Sequence, residues 1–118
     1  MTVYVDNMRA PYGRLIMCHL LSDTSDEELH AMADAIGVSR RWWQRPPKVS
    51  TSHYDICLSK RALAVEAGAI EITLREAGIL SAYRRATGEF GPLGAAKAWH
   101  EARKRQKALP GSPEQVSS

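Results

Sequence analysis

Cysteine is scarce. Cys18 and Cys57 are the only two, they form no CxxC pair, and the pattern is too sparse for a disulfide scaffold. Both fall in apolar surroundings, which points to free thiols that pack as small hydrophobes. No run approaches the roughly 20 apolar residues of a membrane span, because Arg14, His19, Asp23 and Asp26 interrupt the longest hydrophobic region. The amino terminus, Met1-Thr2-Val3-Tyr4-Val5-Asp6, lacks the basic start and apolar run of a secretory signal, so a cytoplasmic location is expected. Familiar catalytic and nucleotide-binding signatures are missing too: there is no GxxxxGKS/T loop, no GxGxxG fingerprint and no GxSxG elbow.

What is present suits one folded domain. The chain has 118 residues, with 44% hydrophobic and 25% charged, close to the averages for globular proteins. Its charge of +3 is unevenly placed: residues 1–59 carry 6 Lys and Arg against 7 Asp and Glu, and residues 60–118 carry 10 against 6. Basic character belongs to the second half.

Val3-Tyr4-Val5 reads as a buried strand ending in Asp6-Asn7, at the strand end where α/β sites usually lie. A loop over Arg9 to Arg14 leads to a second strand, Leu15 to Leu21, with His19 inside it. Ser25-Asp26-Glu27-Glu28 is a capping-box helix start, Leu29, Met32, Ala33 and Ile36 recur at helical spacing, and Gly37 supplies the stop. Arg40 to Ser52, with Trp42-Trp43 and Pro46-Pro47, has little periodicity and reads as a long irregular loop. His53 to Leu58 is a short strand or extended entry to a helix capped by Ser59 and ending at Gly68. Ile70-Glu71-Ile72-Thr73 alternates as a strand, Thr73 and Glu76 form a second capping box, and a helix runs from Leu74 to about Thr87, kinked near Gly78. Residues 88–94 form a Gly/Pro linker after the 1–87 domain, 95–109 a basic helix, and 110–118 a disordered tail. The expected architecture is α/β: a small Rossmann-like layered sheet of three to four strands, packed helices and a C-terminal basic helix.

Polar candidates concentrate in the first half. Asp6, His19, His30, His53 and Asp55 combine imidazole with carboxylate, a set that suits a divalent transition metal such as zinc or manganese and its activation of water. In particular, Asp6, His19 and His53 are candidate metal ligands, and His53, Asp55 and His30 candidate catalytic groups. In His53-Tyr54-Asp55, strand alternation puts the imidazole and carboxylate on one side. Cys18 is no thiol partner for His19, because adjacent strand residues face opposite ways. Lys60 and Arg61 place two cations at a helix start, an arrangement that a bound phosphate would relieve, and Arg14 could add to it. Lys97, Arg103, Lys104, Arg105 and Lys107 with Trp99 could meet nucleic acid, against the plainer expectation of a solvated helix whose Trp99 docks on the domain.

Taken together, Val3-Tyr4-Val5-Asp6, Met17-Cys18-His19-Leu20, Asp26-Glu27-Glu28-Leu29-His30-Ala31-Met32-Ala33, Trp42-Trp43-Gln44, His53-Tyr54-Asp55 and Arg61 through Gly68-Ala69 form an ordered set. On these residues the chain resembles the domain-of-unknown-function family 4031 of bacterial and phage proteins, over roughly residues 2–75. The resemblance implies a bacterial or phage-infected cell and directs attention to Asp6, His19, His30, His53 and Asp55, without implying an activity. The loop after Asp6 departs from the family pattern: Ala10-Pro11-Tyr12-Gly13-Arg14 stands where a tryptophan-rich segment is expected.

These readings favour a metal-assisted phosphoester or nucleotide hydrolase. The alternatives are a non-catalytic phage accessory protein that binds a nucleotide, nucleic acid or host protein, and a structural or assembly protein.

Overall fold

The computed structural model describes residues 2–49 and 51–108. Six strands form one mixed sheet: β1 (Val3–Val5), β2 (Ala10–Tyr12), β3 (Leu15–Ser22), β4 (Trp43–Gln44), β5 (His53–Cys57) and β6 (Ile70–Glu71). The helices are α1 (Asp26–Ala35), α2 (Leu58–Glu66), α3 (Leu74–Thr87) and α4 (Leu93–Ala108). The expected α/β class holds, but the pairing is not that of a Rossmann sheet. Along the order β4-β5-β3-β1-β6, only β1 with β6 is parallel; the other neighbours are antiparallel.

Two strands exceed the expected three to four. The segment read as a loop after Asp6 folds back on β3 as β2, turning at Gly13 with φ of 60°, and its Pro11 occupies an outer strand, where a missing amide is tolerated. β1 and β2 lie end to end along one side of β3: β1 pairs with Leu20 to Ser22, and β2 with Leu15 to Met17. The Asp6 amide still donates to the His19 carbonyl at 3.2 Å, and the chain then leaves the pairing at residues 7–9. The tryptophan segment is likewise partly regular: Arg40–Trp42 makes a single 3-10 turn, and Trp43–Gln44 adds β4 against Tyr54 and His53.

Local chemistry explains the helix ends. The Ser25 hydroxyl accepts the Glu28 amide at 3.1 Å, but the Glu28 carboxylate turns to the Ser22 hydroxyl at 2.5 Å, so only half the expected capping box forms. Thr73 and Glu76 complete theirs, and α3 runs unbroken through Gly78. Ser59 lies within α2 rather than capping it: β5 passes directly into the helix, Cys57 takes the cap position, and no side-chain cap bond forms there. α4 begins at Leu93, inside the stretch read as a linker. The expected tail, residues 110–118, lies outside the described residues.

Alternation along the strands builds two cores. One face presents Val3, Val5, Cys18, Leu20, Tyr54 and Ile56 to Leu29 and Ala33 of α1, Ile36 at its C-cap and Ala64 of α2. The opposite face presents Tyr4 and Leu21, with Ile72 beside them, to Ala77, Leu80 and Tyr83 of α3 and Ala96 of α4. Leu20, Leu29 and Leu80 are wholly buried, which contributes about 1.5–3 kcal/mol for each. Next to Leu21 on the α3–α4 face, beyond the buried patch, come His19 and its neighbours.

Candidate functional site

β3 and β5 pair with His19 opposite Asp55, and the two-residue strand period puts His53 on the same face as Asp55. His53 Nε2 lies 3.4 Å from Asp55 Oδ1, and His19 Nε2 lies 3.8 Å from the same oxygen. One ligand atom from each of the three residues falls within 4.8 Å of the others. Ligands about 2.0 Å from a tetrahedral zinc sit about 3.3 Å apart, so small side-chain adjustments would bring these three onto one ion.

The far sides of both rings are committed. His53 Nδ1 lies 2.7 Å from the Thr51 carbonyl, which can only accept, so Nδ1 carries the proton and a neutral ring keeps its lone pair on Nε2. His19 Nδ1 lies 2.6 Å from Asp6 Oδ2, and that carboxylate imposes the same tautomer. Asp55 Oδ2 accepts from the Gln44 side-chain amide at 2.7 Å. Its Oδ1 is sealed from solvent and has no hydrogen-bond partner among the described residues. Two imidazole lone pairs and a carboxylate oxygen therefore face one another, an arrangement that requires a proton or a metal ion between them.

The electrostatics agree. The hydrogen bond to Asp6 raises the His19 ring above its ordinary value against the opposing effect of burial. Burial pushes Asp6 upward, but the His19 ring and backbone amide together outweigh it and hold the carboxyl below its usual range. The His53 ring lowers the Asp55 carboxyl, with the Gln44 amide assisting against burial. With both rings in the neutral form that binds a metal, the two carboxylates would leave two negative charges, the complement of a dication.

Asp6 thus stands behind His19 rather than among the converging atoms. Its backbone is fixed as well: Arg61 Nε donates to the Asp6 carbonyl at 3.0 Å, and Arg61 also pairs with Glu71 at 2.8 Å. Arg61 is therefore already committed. Lys60 is half-buried at the cleft described below and makes no ion pair among the described residues. Arg14 stands on the exposed β2–β3 turn. His30 lies across the sheet from the cluster, its Nδ1 2.7 Å from the Tyr54 hydroxyl and its ring edge-on to Trp43 at 4.4 Å. Cys18 also faces the α1–α2 core, where burial pushes its thiol up to about 11.

Several contributors escaped the sequence reading. Gln44, the Thr51 carbonyl and the clamp around residues 51–52 all lie in the segment read as irregular. Ser52 accepts from Trp43 Nε1 at 2.8 Å and donates to Asp26 at 2.6 Å. Thr51 donates to Ser81 at 2.6 Å, and Arg84 donates to the carbonyls of Ser22, Ser52 and Phe90. The only available signal was the cluster of Ser, Thr and Trp in an aperiodic stretch. Trp99 of α4 rests edge-on against Tyr83 at 5.8 Å, with Arg103 over its ring, as the docked-helix expectation had it. No helix among the described residues is long and apolar enough to cross a membrane.

These features define a small α/β protein with a His-His-carboxylate cluster on one face of a mixed sheet. The model of the family described as protein of unknown function (DUF4031) matches residues 3–84, and the chain belongs to that family. The match includes every residue of the cluster and ends within α3. No curated protein and no solved structure matches the chain.

Proposed function

We propose that the chain is a divalent-metal-dependent hydrolase acting on a phosphoester, with His19, His53 and Asp55 as ligands. The observation that carries this reading is the convergence of three electron-pair donors on one point while the opposite side of each group is hydrogen-bonded. Imidazole with carboxylate suits zinc or manganese. Three protein ligands leave a coordination position open for water, whose proton such an ion makes easier to remove. Asp6 sets the His19 tautomer and the Thr51 carbonyl sets that of His53. Phosphate recognition falls to Lys60, since Arg61 is spent on Asp6 and Glu71; Arg14 on the adjoining turn is available to assist.

The test is elemental analysis of the purified full chain, followed by zinc and manganese titration and hydrolysis of bis(p-nitrophenyl) phosphate and p-nitrophenyl phosphate. Stoichiometric metal and turnover, both lost in a folded His53→Ala variant, are expected. A folded His53→Ala that keeps its metal would refute the ligand assignment. Metal without turnover of either ester would remove the hydrolytic half of the proposal.

A further inference from the structure

Asp55 belongs to two features at once. Besides holding one corner of the cluster, it lines a cleft of about 490 Å³ together with Tyr12, Leu15, Met17, Trp42 and Lys60, among others. These residues come from β2, β3, the 3-10 turn and α2, elements distant in sequence that the sheet order gathers at one place. Tyr12, Leu15 and Trp42 are 63%, 49% and 51% exposed. Isolated exposed apolar residues are ordinary, but three large ones around one cleft mark a binding surface. Arg41 lies over the Trp42 ring at 4.7 Å, a cation–π contact that steadies the side chain.

The cleft lining carries one cation, Lys60, and one carboxylate, Asp55. Lys60 reaches toward Gly37, close enough that a Cβ added there would meet its Nζ at 3.2 Å. No carboxylate pairs with it among the described residues. An apolar rim with two aromatic rings, an uncompensated ammonium and a metal-binding carboxylate together specify a ligand with a flat ring at one end and an anion at the other. The volume falls in the range of small-molecule sites, about 300–1,000 Å³.

We infer that this cleft binds a single nucleoside monophosphate, its base against Trp42 and Tyr12 and its phosphate at Lys60, the metal taking up the charge of Asp55 on the cleft wall. This rests on the metal reading above and narrows its substrate class. Base stacking on an aromatic side chain corresponds to a loss of about tenfold to a hundredfold in affinity on removal. A charge-assisted phosphate contact is comparably strong.

Calorimetric titration of the zinc-loaded full chain with adenosine monophosphate, adenosine, ribose 5-phosphate and inorganic phosphate tests the proposal. Adenosine monophosphate should bind at least about tenfold tighter than each of the other three. Trp42→Ala should remove that advantage over ribose 5-phosphate, while leaving inorganic phosphate unchanged, and Lys60→Met should weaken all three phosphate-bearing ligands. Trp42 is half exposed, so its replacement spares the core; Tyr12→Ala is a second probe of the ring site. No preference for adenosine monophosphate over ribose 5-phosphate overturns the ring site, and affinity that rises with the length of an oligonucleotide overturns it in favour of a polymer. Zinc binding is read separately, in the same calorimeter, before any nucleotide is added. Normal zinc binding with no nucleotide preference sinks this inference alone. Failure to bind zinc sinks the metal reading and, with it, the neutralised Asp55 beside the phosphate.

Discussion

Replacing Asp6 with Asn tests whether the group behind His19 controls the site. Asp6 accepts the His19 ring nitrogen at 2.6 Å, the His19 amide at 2.9 Å and the Met8 amide at 3.3 Å. Asparagine can keep the two backbone bonds through its oxygen, but its NH2 then faces His19 Nδ1. That nitrogen must become the acceptor, which moves the ring proton to Nε2, the atom that should hold the metal. Loss of such a supporting group costs about 10-fold to 100-fold in metal affinity, or about 1.4–2.7 kcal/mol. At zinc one hundred times the original Kd, binding stabilises the wild-type chain by about 2.7 kcal/mol, and Asp6→Asn should retain only about 0.4–1.4 kcal/mol of that. Competition against a calibrated chelator measures the affinity, and thermal melts with zinc and with chelator measure the linked stability. Equal zinc affinity in the two folded proteins would refute the tautomer argument.

Two further outcomes follow from contacts outside the ligand set and from the metal-free state. Gly91→Ala would drive a Cβ to 2.9 Å from Asp23 Cβ, and Asp23 cannot easily yield because it holds the Thr2 amide and the Tyr4 hydroxyl. A loss of about 1–3 kcal/mol is expected in denaturant unfolding, and an unchanged midpoint would show that the segment shifts freely. The metal-free protein should also show a stability plateau set by the Asp6–His19 pair. His19, raised above 6.5, contributes stability that is fully present below that pH and is lost as pH rises through its folded value. Asp6, lowered from 3.8, contributes stability that is present above that pH and is lost as pH falls through its folded value. Melts in chelator should therefore peak between these limits, and Asp6→Asn should flatten the profile; parallel profiles would sink the assignment.

Much of this was legible wherever chemistry and spacing are local. His53 and Asp55 share a face because they are two apart in a strand, and the Ser25 and Thr73 caps follow from neighbours within one turn. The β-branched and aromatic run at Val3–Val5 likewise announces itself. His19 is different: it meets Asp55 only because β3 pairs with β5 in one particular register, which residue spacing does not reveal. His30 illustrates the same limit in reverse. Its place beside an apolar helical stripe was readable, but the choice of sheet face was decided by how α1 packs, and that choice sends it to Tyr54 instead of the cluster. Asp6 reads as a polar group at a strand end, yet its part as the support of His19 depends on the register that sets it opposite that residue. Gln44 was hidden because two-residue β4 is too short to leave a periodic signal, and the Thr51 carbonyl is a main-chain atom that residue identity cannot disclose.

The Arg84 clamp has a consequence for how the molecule opens. Through Ser52 and Ser22 it fastens α3 to the strand entry that aims His53 and to the end of the strand that carries His19. Holding both imidazoles on one ion would tie β3 to β5 close to the points where Arg84 joins each of them to α3. Amide exchange in β3, β5 and the adjoining part of α3 should therefore be slower in zinc than in chelator.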